Sequence, residues 1–214
     1  MVVYLAGLQA LPASLPIVLL DWDGPSSTLN RVALDNYLSA FQATRLLIEG
    51  GHRRIALISG PDAVGSAQER LRGYRDALAA AGLAEQALVR SGPYTHEQGR
   101  AAALDLLAGR HPPEAIFSGG VLLTLGVLQA LRERRASWPE DIALVGYADA
   151  RWAAALVPPL TAIEQPVEQL GEMAVNLLLQ ARQTQTLGQR VVLESRLVVR
   201  ASHWRAPQPI GPPR

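Results

Sequence analysis

The 214-residue sequence contains no cysteine and no lysine. The first absence excludes disulfides, zinc–thiolate sites and cysteine nucleophiles, and it agrees with a reducing compartment. The second excludes a P-loop, whose lysine reaches the nucleotide phosphates. All 20 basic residues are therefore arginine, and against 19 acidic residues they leave a formal net charge of +1. That balance argues against a surface built broadly for phosphate, because a nucleic-acid face clusters its cations. The densest cluster, Arg132, Arg134 and Arg135, lies beside Glu133 at a predicted helix end, where cations suit the helix dipole and solvent. Other enzyme signatures are missing too: no Gly-x-Gly-x-x-Gly after a strand, no Gly-x-Ser-x-Gly elbow, no His-Glu-x-x-His helix. The four histidines, His52, His96, His111 and His203, are scattered, so no metal site is expected. The apolar N-terminal run is broken by Gly7, Pro12 and Pro16 and lacks the basic region of a signal peptide. These features predict a cytoplasmic protein.

What is present is an alternation. Short aliphatic runs predict strands at Val2–Leu5, Ile17–Leu20, Ile55–Ile58, Ala87–Arg90, Ala115–Phe117, Ile142–Val145, Thr161–Ile163, Arg190–Leu193 and Leu197–Arg200. Between them lie helical patterns with start and stop signals. Ser66 with Glu69, and Thr95 with Gln98, have capping-box spacing. Gly82, Gly109 and Gly50–Gly51 sit where helix C-caps belong. Strands alternating with helices predict βαβ units and an α/β fold with parallel sheets. With 49% hydrophobic residues the chain can bury one large domain or two small lobes. The Pro-rich tail over 205–214 is expected to be disordered.

In such a fold ligands bind outside the carboxyl ends of the strands. That rule nominates the loops Asp21–Asp35, Gly60–Ser66, Ser91–Thr95, Ser118–Leu122, Gly146–Trp152 and Glu164–Pro166. Two chemistries compete for them. Asp21 and Asp23 end an apolar strand as Asp-Trp-Asp-Gly, which resembles the haloacid-dehalogenase phosphatases, with Ser59 as a second-motif hydroxyl. That mechanism also needs a cation for the phosphoryl charge and a later acidic pair, and Tyr147-Ala148-Asp149 offers one acid. The alternative is binding without chemistry. Arg70 offers a planar fork of donors, and Tyr94 and Trp22 offer faces for a sugar or base. Asp35 and Gln165 supply acceptors and donors. Each has a plainer role open to it: Arg70 pairing with Glu69 or Asp76 on the surface, Trp22 in a core or hinge, and Asp35 capping the next helix.

Five segments decide in favour of binding. Val32-Ala-Leu-Asp35-Asn36, Gly51-His-Arg-Arg-Ile-Ala-Leu-Ile-Ser-Gly-Pro61, Glu69-Arg70-Leu-Arg-Gly73-Tyr74, Pro139-Glu-Asp-Ile-Ala-Leu-Val-Gly146-Tyr147 and Pro158-Pro-Leu-Thr-Ala-Ile-Glu-Gln165-Pro166 resemble, in order and spacing, the LacI/GalR family of regulators. The resemblance runs from about Leu15 to Ser202. Asp21-Trp22, Ser118-Gly119-Gly120 and the stretch after Gln165 are most similar to its ribose and purine repressors.

The resemblance implies a periplasmic-binding-protein type 1 fold, two Rossmann-like lobes crossed three times by the chain. The N-lobe would hold 1–50 and 163–188, the C-lobe 51–162 and 189–204. It implies a small sugar or purine-like effector, a homodimer, operator DNA read through a helix-turn-helix headpiece, and neither catalytic residue nor cofactor. Asp35, Arg70, Tyr94, Gln165, Trp22, Ser66, Gly120 and Asp149 would line the cleft. Two positions depart from the family: Val121 and Ala148 stand where it usually carries aspartate. Losing such a carboxylate costs about 1–3 kcal/mol if buried donors lose a partner, which points to a less polar effector or a loss of sugar specificity. The family core also opens with a strand, helix and strand ahead of the segment matching Val2–Gly7. An incomplete N-lobe without headpiece is therefore expected, and with it poor solubility of this chain alone. A stand-alone sugar-binding protein is the remaining alternative.

Overall fold

The computed structural model describes residues 17–21, 28–184 and 187–204. The predicted strand Val2–Leu5, Trp22, Asp23 and the tail over 205–214 lie outside them. The chain runs β1 (Val18–Leu20), β2 (Asn30–Leu34), α1 (Asn36–Glu49), β3 (Ile55–Ser59), α2 (Gly65–Ala80), β4 (Leu88–Ser91) and α3 (His96–Ala108). It continues with β5 (Ala115–Ser118), α4 (Val121–Arg134), β6 (Ala143–Tyr147), β7 (Thr161–Glu164), α5 (Val167–Thr184), β8 (Arg190–Leu193) and β9 (Arg196–Val198). Two sheets result. The larger has the order β4-β3-β5-β6-β7-β9 and the smaller β1-β2-β8. All pairs are parallel except β7 with β9, so the expected α/β class with parallel sheets holds.

The larger sheet shows why its strands were legible. β3, β5 and β6 are buried along their whole length, as continuous apolar runs in a sheet covered on both faces should be. Alternate residues part to opposite sides. Leu57, Phe117 and Val145 pack with Ala43, Leu47, Tyr74 and Leu78 under α1 and α2. Ile58, Ile116 and Leu144 pack with Ala103, Leu106, Val127 and Leu131 under α3 and α4. Gly99 and Gly126 let α3 and α4 meet backbone to backbone, since a Cβ on either would collide with the other helix's main chain.

The smaller sheet carries α5 against β1 and β2. Its core is Val32, Leu34, Leu170 and Leu177, with Val18, Met173, Val191 and Leu193 partly buried around them.

Three expectations need correction. β2 falls inside the stretch 21–35 read as a loop; polar Asn30 and Arg31 hide a strand whose Val32, Ala33 and Leu34 are buried between two parallel neighbours. Sheet membership moves the lobe boundaries as well. α1, placed with the first lobe, packs on α2 and the larger sheet, while β8, placed with the second, pairs with β2. The chain thus crosses at Asp35, at Gln165–Pro166 and at Glu194–Ser195, with the first and third crossings joined by Asp35 N–H to the Leu193 carbonyl at 2.9 Å. Crossings fall where strands end because that is where a ladder stops constraining the backbone. Finally, α2 starts at Gly65 after Val64 and has no side-chain cap, so Ser66 caps nothing. Thr95 does cap α3, accepting from Gln98 N–H at 3.1 Å.

Candidate functional site

A cavity of about 490 Å³ opens between the two sheets. Its walls are Asp21 after β1, Val64 and Ser66 at the start of α2, Arg70 one turn on, and Tyr94 before α3. Gly120, Val121 and Leu122 at the start of α4, Tyr147 and Ala148 after β6, and Gln165 after β7 complete it. All six loops nominated by the strand-end rule contribute.

Arg70 is the centre. Its side chain is buried, and a buried guanidinium must be surrounded by acceptors. Nε donates to Asn36 Oδ1 at 3.0 Å, and Nη1 donates to the Tyr94 hydroxyl at 3.0 Å and the Gly119 carbonyl at 2.8 Å. The Tyr147 ring lies 3.8 Å from the guanidinium carbon, within cation–π range. Burial works against the charge, yet Tyr147, Tyr94 and Asp21 together hold the Arg70 pKa above its ordinary value. The surface pairing considered for Arg70 belongs to Arg72, which meets Glu69.

Asn36 ties the site to the first crossing. Its Oδ1 also accepts from the Tyr147 hydroxyl at 2.7 Å, and its Nδ2 donates to Asp21 Oδ1 at 3.2 Å and to the Leu34 carbonyl at 3.3 Å. Burial pushes the Tyr147 phenol up, so it stays protonated and can donate. Tyr94 is seated by two glycines: a Cβ on Gly60 or Gly120 would meet its ring. Arginine, tyrosines and amide thus form a connected network fixed from several elements, facing apolar Val64, Val121, Leu122 and Ala148. Such a lining can orient a small molecule with a polar edge and an apolar face. Among the described residues no cluster of three or more His, Cys, Asp or Glu could hold a metal.

Of the eight residues expected at the cleft, Arg70, Tyr94, Gln165, Ser66 and Gly120 line it. Asp35 does not: its carboxylate caps α1, accepting from Leu38 N–H at 2.8 Å, and it borders a separate groove with Tyr37, Glu69 and Arg72. Asp149 is spent on Arg200, which grips it through two bonds of 2.9 and 2.7 Å. Trp22 lies outside the described residues. Tyr147 and Asn36 were overlooked as site residues, although both sit at strand ends inside quoted motifs. Asp21 was noticed for other chemistry.

The periplasmic binding protein-like domain family matches residues 44–203. The HTH-type transcriptional regulator CelR of Thermobifida fusca is 41% identical over 180 residues, 83% of this chain and 53% of that protein. The ribose operon repressor of Escherichia coli K12 is 38% identical over 187 residues, 86% of this chain and 56% of that protein. This chain therefore spans about half the length of the curated relatives it matches. A solved transcriptional regulator CelR–cellobiose complex superposes with a TM-score of 0.79 at 39% identity, covering 86% of this chain and 58% of that one. These relatives are transcription regulators, and the phosphatase alternative is not supported. Asp21 is held by Asn36 and faces Arg70, and Ser59 is buried in β3 away from the cavity lining.

Proposed function

This chain belongs to the periplasmic-binding-protein-like domain family, among LacI-type regulators, and we propose that it is the effector-sensing core of a DNA-binding transcriptional repressor. The observation that carries the reading is the network of Arg70, Asn36, Tyr94 and Tyr147, built into a cavity that both sheets enclose. A ligand held there touches both sides of the crossings. It stabilises one relative arrangement of the sheets over another by its difference in affinity for the two. The chain would work as a cytoplasmic homodimer whose operator contacts come from a helix-turn-helix headpiece. Its partners are a small sugar or purine-like effector and, through the headpiece, DNA. No chemistry is performed on the effector. Relatives named for ribose or solved with cellobiose favour a sugar.

Calorimetric titration with ribose, other pentoses, cellobiose, hypoxanthine and guanine tests this. One of them is expected to bind with heat that Arg70→Gln removes. Silence across the panel would refute the effector assignment while leaving the fold untouched.

A further inference from the structure

Asn36 is the first residue of α1, directly after the crossing at Asp35, and it is 1% exposed. Both heads of its side-chain amide are bonded, and they face different sheets. Oδ1 accepts from Arg70 Nε at 3.0 Å and from the Tyr147 hydroxyl at 2.7 Å, groups carried by α2 and β6 of the larger unit. Nδ2 donates to Asp21 Oδ1 at 3.2 Å and to the Leu34 carbonyl at 3.3 Å, at the ends of β1 and β2 in the smaller sheet.

The surroundings dictate this side chain. Two donors converge on one head and two acceptors on the other, so the group between them must accept on one side and donate twice on the other. A carboxylate only accepts, an ammonium only donates, and a hydroxyl has a single proton. A primary amide meets all four demands. Asp35, one residue earlier, is committed elsewhere: its carboxylate caps α1 and its N–H meets the Leu193 carbonyl. Arg70 Nη2 and Asp21 Oδ2 lie 3.9 Å apart, beyond the roughly 2.7–3.2 Å of a direct N–H···O bond, whereas the Asn36 amide bonds both residues directly.

We propose that Asn36 is a positioning residue that couples occupancy of the cleft to the placement of the smaller sheet. It acts without lining the cavity itself. A ligand that shifts Arg70 or Tyr147 shifts the acceptor head of the amide, and the donor head carries the movement to the ends of β1 and β2. The inference rests on the cleft being the effector site and adds the residue through which binding there reaches the other sheet.

The test is hydrogen–deuterium exchange on the full chain, free and with D-ribose or cellobiose. The proteins are the wild type, Asn36→Asp, and Asn36→Asp combined with Asp21→Asn. Asn36→Asp keeps the shape and the acceptor for Arg70 and Tyr147 but loses both donors towards the smaller sheet. The double substitution restores a donor, now on the other side of the contact between positions 21 and 36. Without ligand, Asn36→Asp should speed exchange over 18–21 and 30–34 by about tenfold, the effect of one lost buried polar link, with β3 and β5 unchanged. The double variant should recover most of that. A bound sugar should slow exchange in both sheets of the wild type but only in the larger sheet of Asn36→Asp. Equal acceleration in both sheets, no acceleration in either, no recovery in the double variant, or slowing in both sheets of Asn36→Asp would overturn the role. If neither sugar binds the wild type while the ligand-free pattern holds, the effector assignment falls and Asn36 stands as the link between the sheets.

Discussion

Among the described residues the two sheets are packed differently. The larger is sandwiched between helix pairs and has three strands buried along their whole length. Among the described residues the smaller has one helix, a core of four clustered side chains, and exposed apolar residues: Leu20 at 48%, Val192 at 40%, and Val175 and Leu179 along α5 at 55% and 51%. The cleft reflects the asymmetry. Asp21 belongs to the smaller unit and Gln165 sits at a crossing, whereas the other lining residues come from the larger one. The Arg70 network is thus anchored where packing is dense and side chains are held in place.

The contrast can be broken most severely in the larger core. Phe117→Ala should cost about 3–5 kcal/mol in urea unfolding, because its fully buried site is walled by two helices and cannot collapse. Arg70→Gln comes next. It strips partners from Asn36, Tyr94 and the Gly119 carbonyl, and should weaken effector binding by about 2–4 kcal/mol in calorimetry. Leu177→Ala in the smaller unit should cost only about 2 kcal/mol, the low end for such truncations, since its surroundings are open enough to relax. Equal losses for Phe117→Ala and Leu177→Ala would dissolve the comparison. Asp149→Ala sharpens it differently. It should lower stability by about 1–2 kcal/mol through the loss of Arg200's partner, with effector affinity held within about twofold. A large loss of affinity would return Asp149 to the cleft.

The smallest effect is one of pH. His203 is buried beside Thr161, its ring nitrogen 3.0 Å from the hydroxyl, while its carbonyl meets His52 Nε2 at 3.1 Å. Burial pulls its pKa below the usual value, with His52 adding to the fall and an Arg200 backbone contact opposing it. A histidine lowered in the fold takes up its proton more readily when unfolded. Its contribution is therefore full above the unfolded value of about 6.5 and is lost as the pH falls from there through the lowered folded value. A melt series from pH 7.5 to 5 should show a falling midpoint, and His203→Gln should flatten that dependence.

Much of this was legible residue by residue. The strands of the larger sheet stand out as apolar runs between glycine and proline stops, and the strand-end rule reaches each described loop that lines the cleft. β2 escaped because half of it is polar and its burial comes only from its neighbours. α1 was assigned to the wrong unit because a helix pattern says which face is apolar, not which sheet will cover it. Asp35 and Asp149 looked like ligands since a carboxylate in a binding loop looks the same whether it faces a cavity, a backbone N–H or an arginine.

The lacks with which the sequence opens, cysteine and lysine, already excluded thiol chemistry and a phosphate-gripping lysine, and its periodicity determined a parallel α/β fold. Local spacing and composition suffice for that, because they act through neighbours along the chain. Which acids face the cavity, where the chain crosses, and that Asp21 lies opposite Arg70 were decided by tertiary structure alone. Those facts depend on polar groups 34, 49 and 111 residues apart being brought within hydrogen-bond reach, and such pairings are set by packing rather than by spacing.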